Sequence, residues 1–276
     1  DAHLNQILMA GQGETHLEIA RYRLKTRFNV EVEFYKPRIS YRETVTQPGH
    51  AQYRHKKQTG GAGQFADISL YVEPLDGPYQ PPSNINVRHT YETTTGWGST
   101  IEYIDAIVGG VIDMRRFFGA IQKGVTEMLK SGPLAGYPVG DIRVVIYDGG
   151  MHSVDSNDNA FRSAAMMGFK RAFGEASPVM LEPIHDLEVL VPESYMGDVL
   201  GDLNTRRARI QGMEAEGPFQ KIMAQVPEAE LYRYSTSLRS LTQGRGIHKS
   251  SFRAYEPVPR HVQEKIIEES AETEEA

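Results

Sequence analysis

The apolar pattern of residues 179–257 places the strongest constraint on the fold of this 276-residue chain. Apolar residues recur there with the two-residue period of a half-buried strand or with the three-to-four-residue period of a helix. In chain order, the pattern predicts a strand around 187–191, a helix at 195–204, a strand around 222–226, a helix at 231–241 and a strand at 247–255. This order of elements indicates a compact βαββαβ, or ferredoxin-like, domain.

Residues 38–178 predict a second domain of the α/β type. A helix is expected at 117–130, and another is expected to begin at Ser156, a residue type favoured at the N-cap, with Asp158 in its first turn. The segment 77–98 is rich in Pro, Asn, Thr and Gly and is either a long loop or an added hairpin. Strands are expected at 39–47, 50–55, 65–73 and 142–148.

Both ends of the chain add smaller pieces. Residues 14–28 have one apolar helical face, and Val30, Val32 and Phe34 then alternate as in a strand. This piece is too small to bury a core alone, so it is read as half of a βαββαβ domain. Residues 259–270 predict a final amphipathic helix. The fold class is therefore α+β, with several domains.

Composition argues against several classes of protein and site. The chain has no cysteine, and none of its nine histidines stands in a metal-binding spacing, so no metal site is expected. No apolar run is long enough to cross a bilayer and no leader begins the chain, so we expect a cytoplasmic protein without a membrane partner.

The formal net charge of −6 is unevenly distributed. The last fourteen residues hold six glutamates and one lysine, and without them 29 Lys and Arg stand against 30 Asp and Glu. A nearly neutral body permits local basic patches, and the candidates are residues 54–57, 115–116 and 206–209. Charge alone neither requires nor excludes a nucleic-acid partner.

Two glycine-rich segments are the candidate functional loops. Residues 55–64 read HKKQTGGAGQ, and residues 149–156 read GGMHSVDS. Glycine lets a backbone come close to another surface, and neighbouring lysines suit a crowded anionic partner. Taken alone, the first segment is better explained as a hairpin turn with solvated lysines.

Together these segments resemble elongation factor G, the ribosomal translocation GTPase, and in particular its C-terminal, non-GTPase part. The similarity runs from about residue 8 to about residue 257, in the family's order. Further matching motifs are GQGETHLE at 11–18, KP at 36–37, YRET at 41–44, SGPLAGYPV at 131–139, LEPI at 181–184, GDV at 197–199 and LRSLTQGR at 238–245.

The resemblance implies a division into four regions. Residues 1–37 would be the C-terminal half of a ferredoxin-like third domain, and 38–178 a fourth domain like domain 2 of ribosomal protein S5. Residues 179–257 would be the ferredoxin-like fifth domain, and 258–276 a helix packed on the fourth domain with an acidic tail. The resemblance implies a monomeric protein whose partner is the ribosome, through its rRNA and the tRNA–mRNA of the decoding site.

The resemblance also implies which residues meet RNA. The two glycine-rich loops would form the distal tip of the fourth domain, which contacts the codon–anticodon duplex. The residues implied there are Gln58, Thr59, Gly60, Gly61, Gly63, His152, Ser153, Asp155 and Ser156. Arg206, Arg207 and Arg209 are either contacts to large-subunit RNA or a solvated basic edge.

No catalytic residue or cofactor is expected within the chain. Ser153 or Ser156 with His152 and Asp155 offers a superficial triad, but neighbours in sequence rarely converge in that geometry. The Gly-x4-Gly-Lys-Ser/Thr loop is absent, so GTP and Mg would bind a domain upstream of this chain in the intact protein. A small-molecule kinase of related fold is set aside because its Gly-Leu-Gly-Ser-Ser loop is absent.

The chain departs from the family pattern near the expected tip. Residues 113–118 read DMRRFF where the family has PGEYIP, and Met151 and Ser153 replace an aromatic residue and an aspartate. These departures leave open a divergent paralogue that acts in ribosome recycling or ribosome protection. A stand-alone RNA-binding module is a further alternative, which an upstream GTPase domain would exclude.

Overall fold

A computed structural model describes residues 4, 6–11, 13–58 and 63–275 of the chain. The helices of this part are α1 (Glu14–Phe28), α2 (Met114–Lys130), α3 (Asp158–Glu175), α4 (Met196–Thr205), α5 (Tyr234–Leu241) and α6 (Arg260–Glu275). The strands are β1 (Arg42–Val45), β2 (Gly49–Lys57), β3 (Gln64–Pro74), β4 (His89–Thr94), β5 (Thr100–Asp105), β6 (Ile142–Gly150), β7 (Pro178–Pro192), β8 (Arg209–Glu216), β9 (Phe219–Pro227) and β10 (Ile247–Pro257). This mixture confirms the predicted α+β class.

The chain divides into two compact units. Unit 1 contains Glu182–Glu256 and the chain up to Ser40, and unit 2 contains Tyr41–Leu181 and the chain from Pro257 onward. Each unit has its own cluster of buried apolar residues, and the two clusters share no residue.

Unit 2 is built on a five-stranded sheet in the order β2-β3-β6-β5-β4. Strand β3 pairs antiparallel with β2 and β6, β5 pairs parallel with β6, and β4 and β5 form an antiparallel pair. Helices α2 and α3 cover one face of this sheet with aliphatic and aromatic side chains, among them Phe117, Ile121, Phe161 and Phe169. The segment 77–98 therefore contains half of a hairpin, strand β4, preceded by an irregular loop.

Helices α2 and α3 begin where side-chain caps satisfy their first amide groups. The Asp113 carboxylate accepts a hydrogen bond from the Arg116 amide at 3.4 Å, and the Asn157 side-chain oxygen accepts one from the Ala160 amide at 2.9 Å. The expectation that Ser156 is the N-cap of α3 is wrong, because Asn157 takes that position and the Ser156 hydroxyl bonds elsewhere. The small inner face of α3 is buried, as its residues predicted.

Two strand assignments also differ from the sequence expectation. The strand expected at Val30, Val32 and Phe34 is wrong, since residues 29–41 of the described chain form no strand. A strand needs a hydrogen-bonded neighbour, and no strand of the described part pairs with this segment. Strand β5 was not expected because its apolar and polar residues do not alternate clearly. Four of its residues and the following Ala106 are buried, and they lie on both sides of the sheet.

Unit 1 contains four strands of the second five-stranded sheet, β7, β8, β9 and β10, with helices packed against them. Strand β7 pairs antiparallel with β9 from Ile184 to Pro192 and also pairs with β10, while β9 pairs with β8. Helices α4 and α5 contribute Val199, Leu203, Tyr234 and Leu238 to its apolar cluster. The helices and strands that sequence periodicity predicts at 187–255 are present, and β8 is added to them.

A buried glutamate organises the remaining part of unit 2. The Glu43 carboxylate, on β1, accepts hydrogen bonds from the amides of Leu134, Ala135 and Tyr137 at 2.9, 2.8 and 3.0 Å. A Cβ atom on Gly132 would lie 2.2 Å from the Glu43 Oε2 atom. The motif at 131–139 is therefore a loop that wraps around one carboxylate. Ile266 of α6 packs nearby against Met180.

Candidate nucleic-acid interface

Two connections of unit 2 lie at one edge of its sheet, which we call the tip. Lys57 and Gln64 are the last paired residues of the β2–β3 connection, and β6 reaches the same edge because Gly150 pairs with Asp67. The chain leaves β6 at Gly150 and enters α3 at Asp158. The sequence motif GGMHSVDS is thus the β6–α3 connection.

Ser156 joins this connection to the start of β3. Its hydroxyl donates to the Phe65 carbonyl oxygen at 2.7 Å and accepts from the His152 amide at 2.8 Å. The Phe65 amide donates to the Asp155 carbonyl oxygen at 2.9 Å. Ser156 is buried, with 7% of its surface exposed, so both bonds are shielded from water. The β6–α3 connection is therefore held to the start of β3 through backbone groups.

His152 lies on the outside of this arrangement with 55% of its side chain exposed. Its Nδ1 atom accepts hydrogen bonds from the amides of Val154 at 3.4 Å and Asp155 at 3.2 Å. An Nδ1 atom that accepts cannot carry the ring hydrogen, so this geometry favours the neutral tautomer with its hydrogen on Nε2. The edge of the ring also meets the Phe65 ring, with centroids 6.4 Å apart. The site thus presents an oriented N–H donor to solvent.

Two glycines are required by close approach at the tip. A Cβ atom on Gly63 would lie 2.5 Å from the Asp155 Oδ1 atom. A Cβ atom on Gly149 would lie 2.3 Å from the Asp67 carbonyl oxygen. The Asp67 backbone cannot move far enough to admit a side chain at Gly149. A side chain at Gly63 would require the short Asp155 side chain to turn away. These glycines explain part of the glycine density of both motifs.

The structure brings together four of the nine tip residues that the sequence indicated. Contacts described above link Gly63 to Asp155 and Asp155 to His152. Ser156 follows Asp155 directly and bonds Phe65. Ser153 is exposed in the same turn, and Gln58 is exposed directly after β2. Thr59, Gly60 and Gly61 lie outside the described residues.

The Ser-His-Asp combination is not arranged for nucleophilic catalysis. In the described part of the chain, the Ser156 hydroxyl bonds the His152 backbone amide, not its imidazole. The Asp155 Oδ2 atom lies 3.3 Å from Nδ1, on the side of the ring that the two amides occupy. Among the described residues, no group of three or more His, Asp or Glu side chains is placed to hold a metal ion.

The three arginines of unit 1 are engaged in ion pairs. Arg207 forms a two-pronged pair with Glu182 at 2.7 and 2.8 Å and reaches Glu230 at 3.1 Å. Hydrogen bonds from Glu182 raise the pKa of the Arg207 guanidinium, despite partial burial. Arg206 bonds Asp202 and lies over the Tyr234 ring. The interpretation of these two as a solvated edge is wrong.

Arg209 is more accessible than its two neighbours. It pairs with Glu256 at 2.6 Å and keeps 54% of its side chain exposed. Of the three arginines, Arg209 is the one that a polyanion could reach without breaking a shielded ion pair.

One further connection reaches the tip, and the sequence indicated it only through the departures at 113–118 and the basic pair at 115–116. Strands β5 and β6 are parallel, so their carboxyl ends point to the same edge, and Ile112 in the β5–α2 connection meets Gly149. The signal that would have found it is β5 itself, a short apolar run flanked by Gly98 and Gly109.

Comparisons with known proteins point to one family. Three family models match in succession: "Elongation Factor G, domain III" over residues 1–36, "Elongation factor G, domain IV" over 37–93 and 89–177, and "Elongation factor G C-terminus" over 179–266. No helix in the described chain combines the length and apolar character needed to cross a membrane.

Individual relatives agree with the family models. The chain is 44% identical over 270 residues to an "Elongation factor G-like protein" of Thermotoga maritima, covering 98% of this chain and 36% of that protein. It is 44% identical over 269 residues to "Elongation factor G" of Aquifex pyrophilus, covering 98% of this chain and 36% of that protein. A crystal structure of a Thermus thermophilus protein matches with a TM-score of 0.76 and 40% identity, covering 95% of this chain and 36% of that one. The chain therefore spans about a third of the length of these relatives.

Proposed function

Because this chain belongs to the elongation factor G family, we propose that it is the ribosome-binding portion of a translational GTPase that promotes translocation of tRNA and mRNA. The observation that carries the proposal is the tip, where Ser156 joins the β6–α3 connection to the start of β3 and the His152 side chain is exposed. GTP and Mg would bind in a domain that precedes these regions in the intact protein, which would act in the cytoplasm. The intact protein would act as a monomer.

The tip suits contact with RNA by shape. His152 offers one donor, and Gln58, exposed directly after β2, offers amide groups, so 2′-hydroxyls and phosphates are suitable partners. The β6–α3 connection is held to the start of β3 by hydrogen bonds, so this part of the tip would enter the vacated decoding site already ordered. Occupancy of that site would block backward movement of tRNA, while GTP hydrolysis elsewhere in the protein would time release.

Replacing His152 tests this mechanism. In the full-length factor that carries this chain, H152A removes the donor but leaves the Ser156 bonds, which use backbone groups at residue 152. We expect single-turnover translocation to slow by roughly 10- to 100-fold, the effect of losing about 1.5–3 kcal/mol of hydrogen bonding in the transition state. Ribosome-stimulated GTP hydrolysis should be largely unchanged.

A matched control is H89A, which removes an exposed histidine from β4 of the same unit. It should translocate at the parental rate. Unchanged translocation by H152A would contradict the role of the tip.

A second candidate function is that of a divergent paralogue in ribosome recycling or protection. The residues DMRRFF at 113–118 and Met151 depart from the family pattern beside the tip, and one close relative is named "Elongation factor G-like protein". Ribosome-stimulated GTP hydrolysis without translocation by the unmodified factor would favour this candidate.

For unit 1, we propose that Arg209 contributes to contact with large-subunit rRNA. Arg206 and Arg207 would act indirectly, by holding the start of β8 against Glu230 and Glu182. This assignment follows from their different exposures and pairings.

A further inference from the structure

We infer that the connection between β5 and α2 is a third RNA-contacting element of the tip, in which Arg115 and Arg116 bind the phosphate backbone. The inference rests on the proposed function, because it takes the tip to approach RNA. The sequence marks residues 115–116 only as a candidate basic patch, and neither the sequence motifs nor the family comparison assigns them an RNA contact.

The first step is the position of this connection. It leaves β5 after Asp105, where the Ala106 amide donates to the Ile146 carbonyl oxygen at 2.9 Å, and it runs toward the end of β6. Ile112 is buried and lies against Gly149, which directly precedes the His152 turn. The rings of Phe117 and Phe161 stack with centroids 4.3 Å apart, so the first turns of α2 and α3 lie together. Residues 107–116 thus lie beside the β6–α3 connection.

The second step is the charge that this connection carries. Arg115 and Arg116 are exposed, and in the part of the chain that the structure describes neither guanidinium forms an ion pair. The Arg116 guanidinium lies 4.8 Å from the centroid of the Phe117 ring. This contact helps to hold the side chain in place but does not neutralise its positive charge. The acidic residues of the strand ends and connections at the tip are Asp67, Asp105, Asp113, Asp148, Asp155 and Asp158. Asp67 pairs with Arg54, Asp105 accepts a hydrogen bond from the Ile107 amide, and Asp113 is engaged as the cap of α2. Asp155 lies against Gly63 and His152.

The third step is that these arginines do not stabilise the helix on which they stand. Both lie in the first turn of α2, which contains no acidic residue. The helix dipole favours negative charge at this end and disfavours two cations. An anionic partner would remove this cost, whereas most other arginines in the described chain already have a carboxylate partner in the protein.

The fourth step is the shape of the connection. Gly109 and Gly110 adopt positive φ angles of 72° and 69°, and a Cβ atom on either would meet open space. Val108 and Val111 on either side are exposed, with 49% and 37% of their surfaces accessible. The backbone at these two glycines carries no side chain and is flanked by small apolar side chains. It can therefore lie against a sugar-phosphate strand while the arginines reach the phosphates.

The experiment measures binding of the full-length factor, with a non-hydrolysable GTP analogue, to 70S ribosomes with an empty A site as KCl is varied. The variants are R115A/R116A, the charge-preserving R115K/R116K, and R115E/R116E. Loss of two phosphate contacts should reduce the slope of log K against log salt by about 1.4–1.8. The lysine variant should keep most of the slope. The glutamate variant should bind most weakly, although glutamate suits the first turn of a helix and preserves folding.

The matched control is K123A/K170A, which removes two exposed charges from α2 and α3 away from the tip and should leave the slope unchanged. If R115A/R116A binds with the parental slope while H152A binds more weakly, this inference is overturned and the proposed function stands. If the unmodified factor does not bind ribosomes, both are overturned.

Discussion

At the scale of single residues, Glu43 shows how one carboxylate holds a whole loop in place. Its two oxygens accept three amide hydrogen bonds from residues 134–137, and Gly132 leaves room for them. Burial raises the pKa of the Glu43 carboxyl, and the amide hydrogen bonds oppose that rise. An apolar residue cannot replace Glu43, because the loop amides need a hydrogen-bond acceptor.

Glu43 should therefore tolerate truncation poorly. E43A leaves three buried amides without their acceptor, and we expect the free energy of unfolding to fall by about 2–5 kcal/mol in urea denaturation. E92A, which removes an exposed carboxylate from β4, should change it by less than about 0.5 kcal/mol. Similar losses in the two variants would contradict the role given to Glu43.

Single residues also mark the limit of what the sequence could predict. His152, Asp155 and Ser156 could be placed at a tip because they lie within one short motif. The partners of Arg207, at positions 182 and 230, and of Ser156, at position 65, are distant in sequence. No local pattern encodes such pairs, so the ion pairs of the arginines and the true N-cap of α3 appeared only in three dimensions.

At the scale of elements, the contact between α2 and α3 depends on a missing side chain. A Cβ atom on Gly124 would lie 2.4 Å from the Arg162 carbonyl oxygen, and Arg162 pairs with Glu127 across the same contact. Gly119 lies on the same helix, but a Cβ atom there would meet nothing within 4 Å. Two glycines of one helix therefore have opposite consequences for stability.

Alanine substitutions at these two glycines should differ in sign. G124A forces the helices apart and should cost about 1–3 kcal/mol. G119A removes backbone freedom at an exposed helical position and should add about 0.5–1 kcal/mol. Thermal unfolding measures both, and a stabilising effect of G124A would show that the helices are not packed as described.

Elements with a clear period were predictable, and elements defined by their neighbours were not. The amphipathic pattern of α2 and the alternation of apolar and polar residues in β9 are visible in the sequence. Strand β5 is hidden because both of its faces are buried, and the segment at 30–34 has the alternation of a strand without a pairing partner among the described residues. Periodicity reports how a segment would be buried, not whether another segment lies beside it.

At the scale of the whole molecule, the two units respond to different conditions. Unit 2 contains Trp97, the only tryptophan, whose Nε1 atom donates to the Val139 carbonyl oxygen at 2.9 Å. Unit 1 contains His248, whose ring meets Tyr234 with centroids 5.0 Å apart. Burial lowers the pKa of the His248 imidazole, and the charge of Arg239 acts in the same direction.

Unit 1 should therefore lose stability in mild acid. The folded state binds fewer protons at His248 than the unfolded state does, so this contribution is complete above the ordinary pKa of 6.5 and is lost as pH falls from that value through the lowered pKa of the folded state. Hydrogen exchange of the β9 amides should accelerate as pH falls below about 6.5, and less so in H248Q. Trp97 fluorescence provides the control, since H248Q should not alter the acid response of unit 2. An equal acceleration in H248Q and the parent would contradict the assignment.

The Ser156 hydrogen bonds have a consequence for the timing of entropy loss. They form when the chain folds, so the β6–α3 connection that they hold to the start of β3 loses its freedom before any partner is met. Under the proposed function, a tRNA that slides back into the same space would have to surrender its own mobility on arrival, whereas this connection has already lost most of its own. In a competition for one cavity, the occupant that was ordered in advance has the advantage, and Ser156 would give this chain that advantage without touching the RNA.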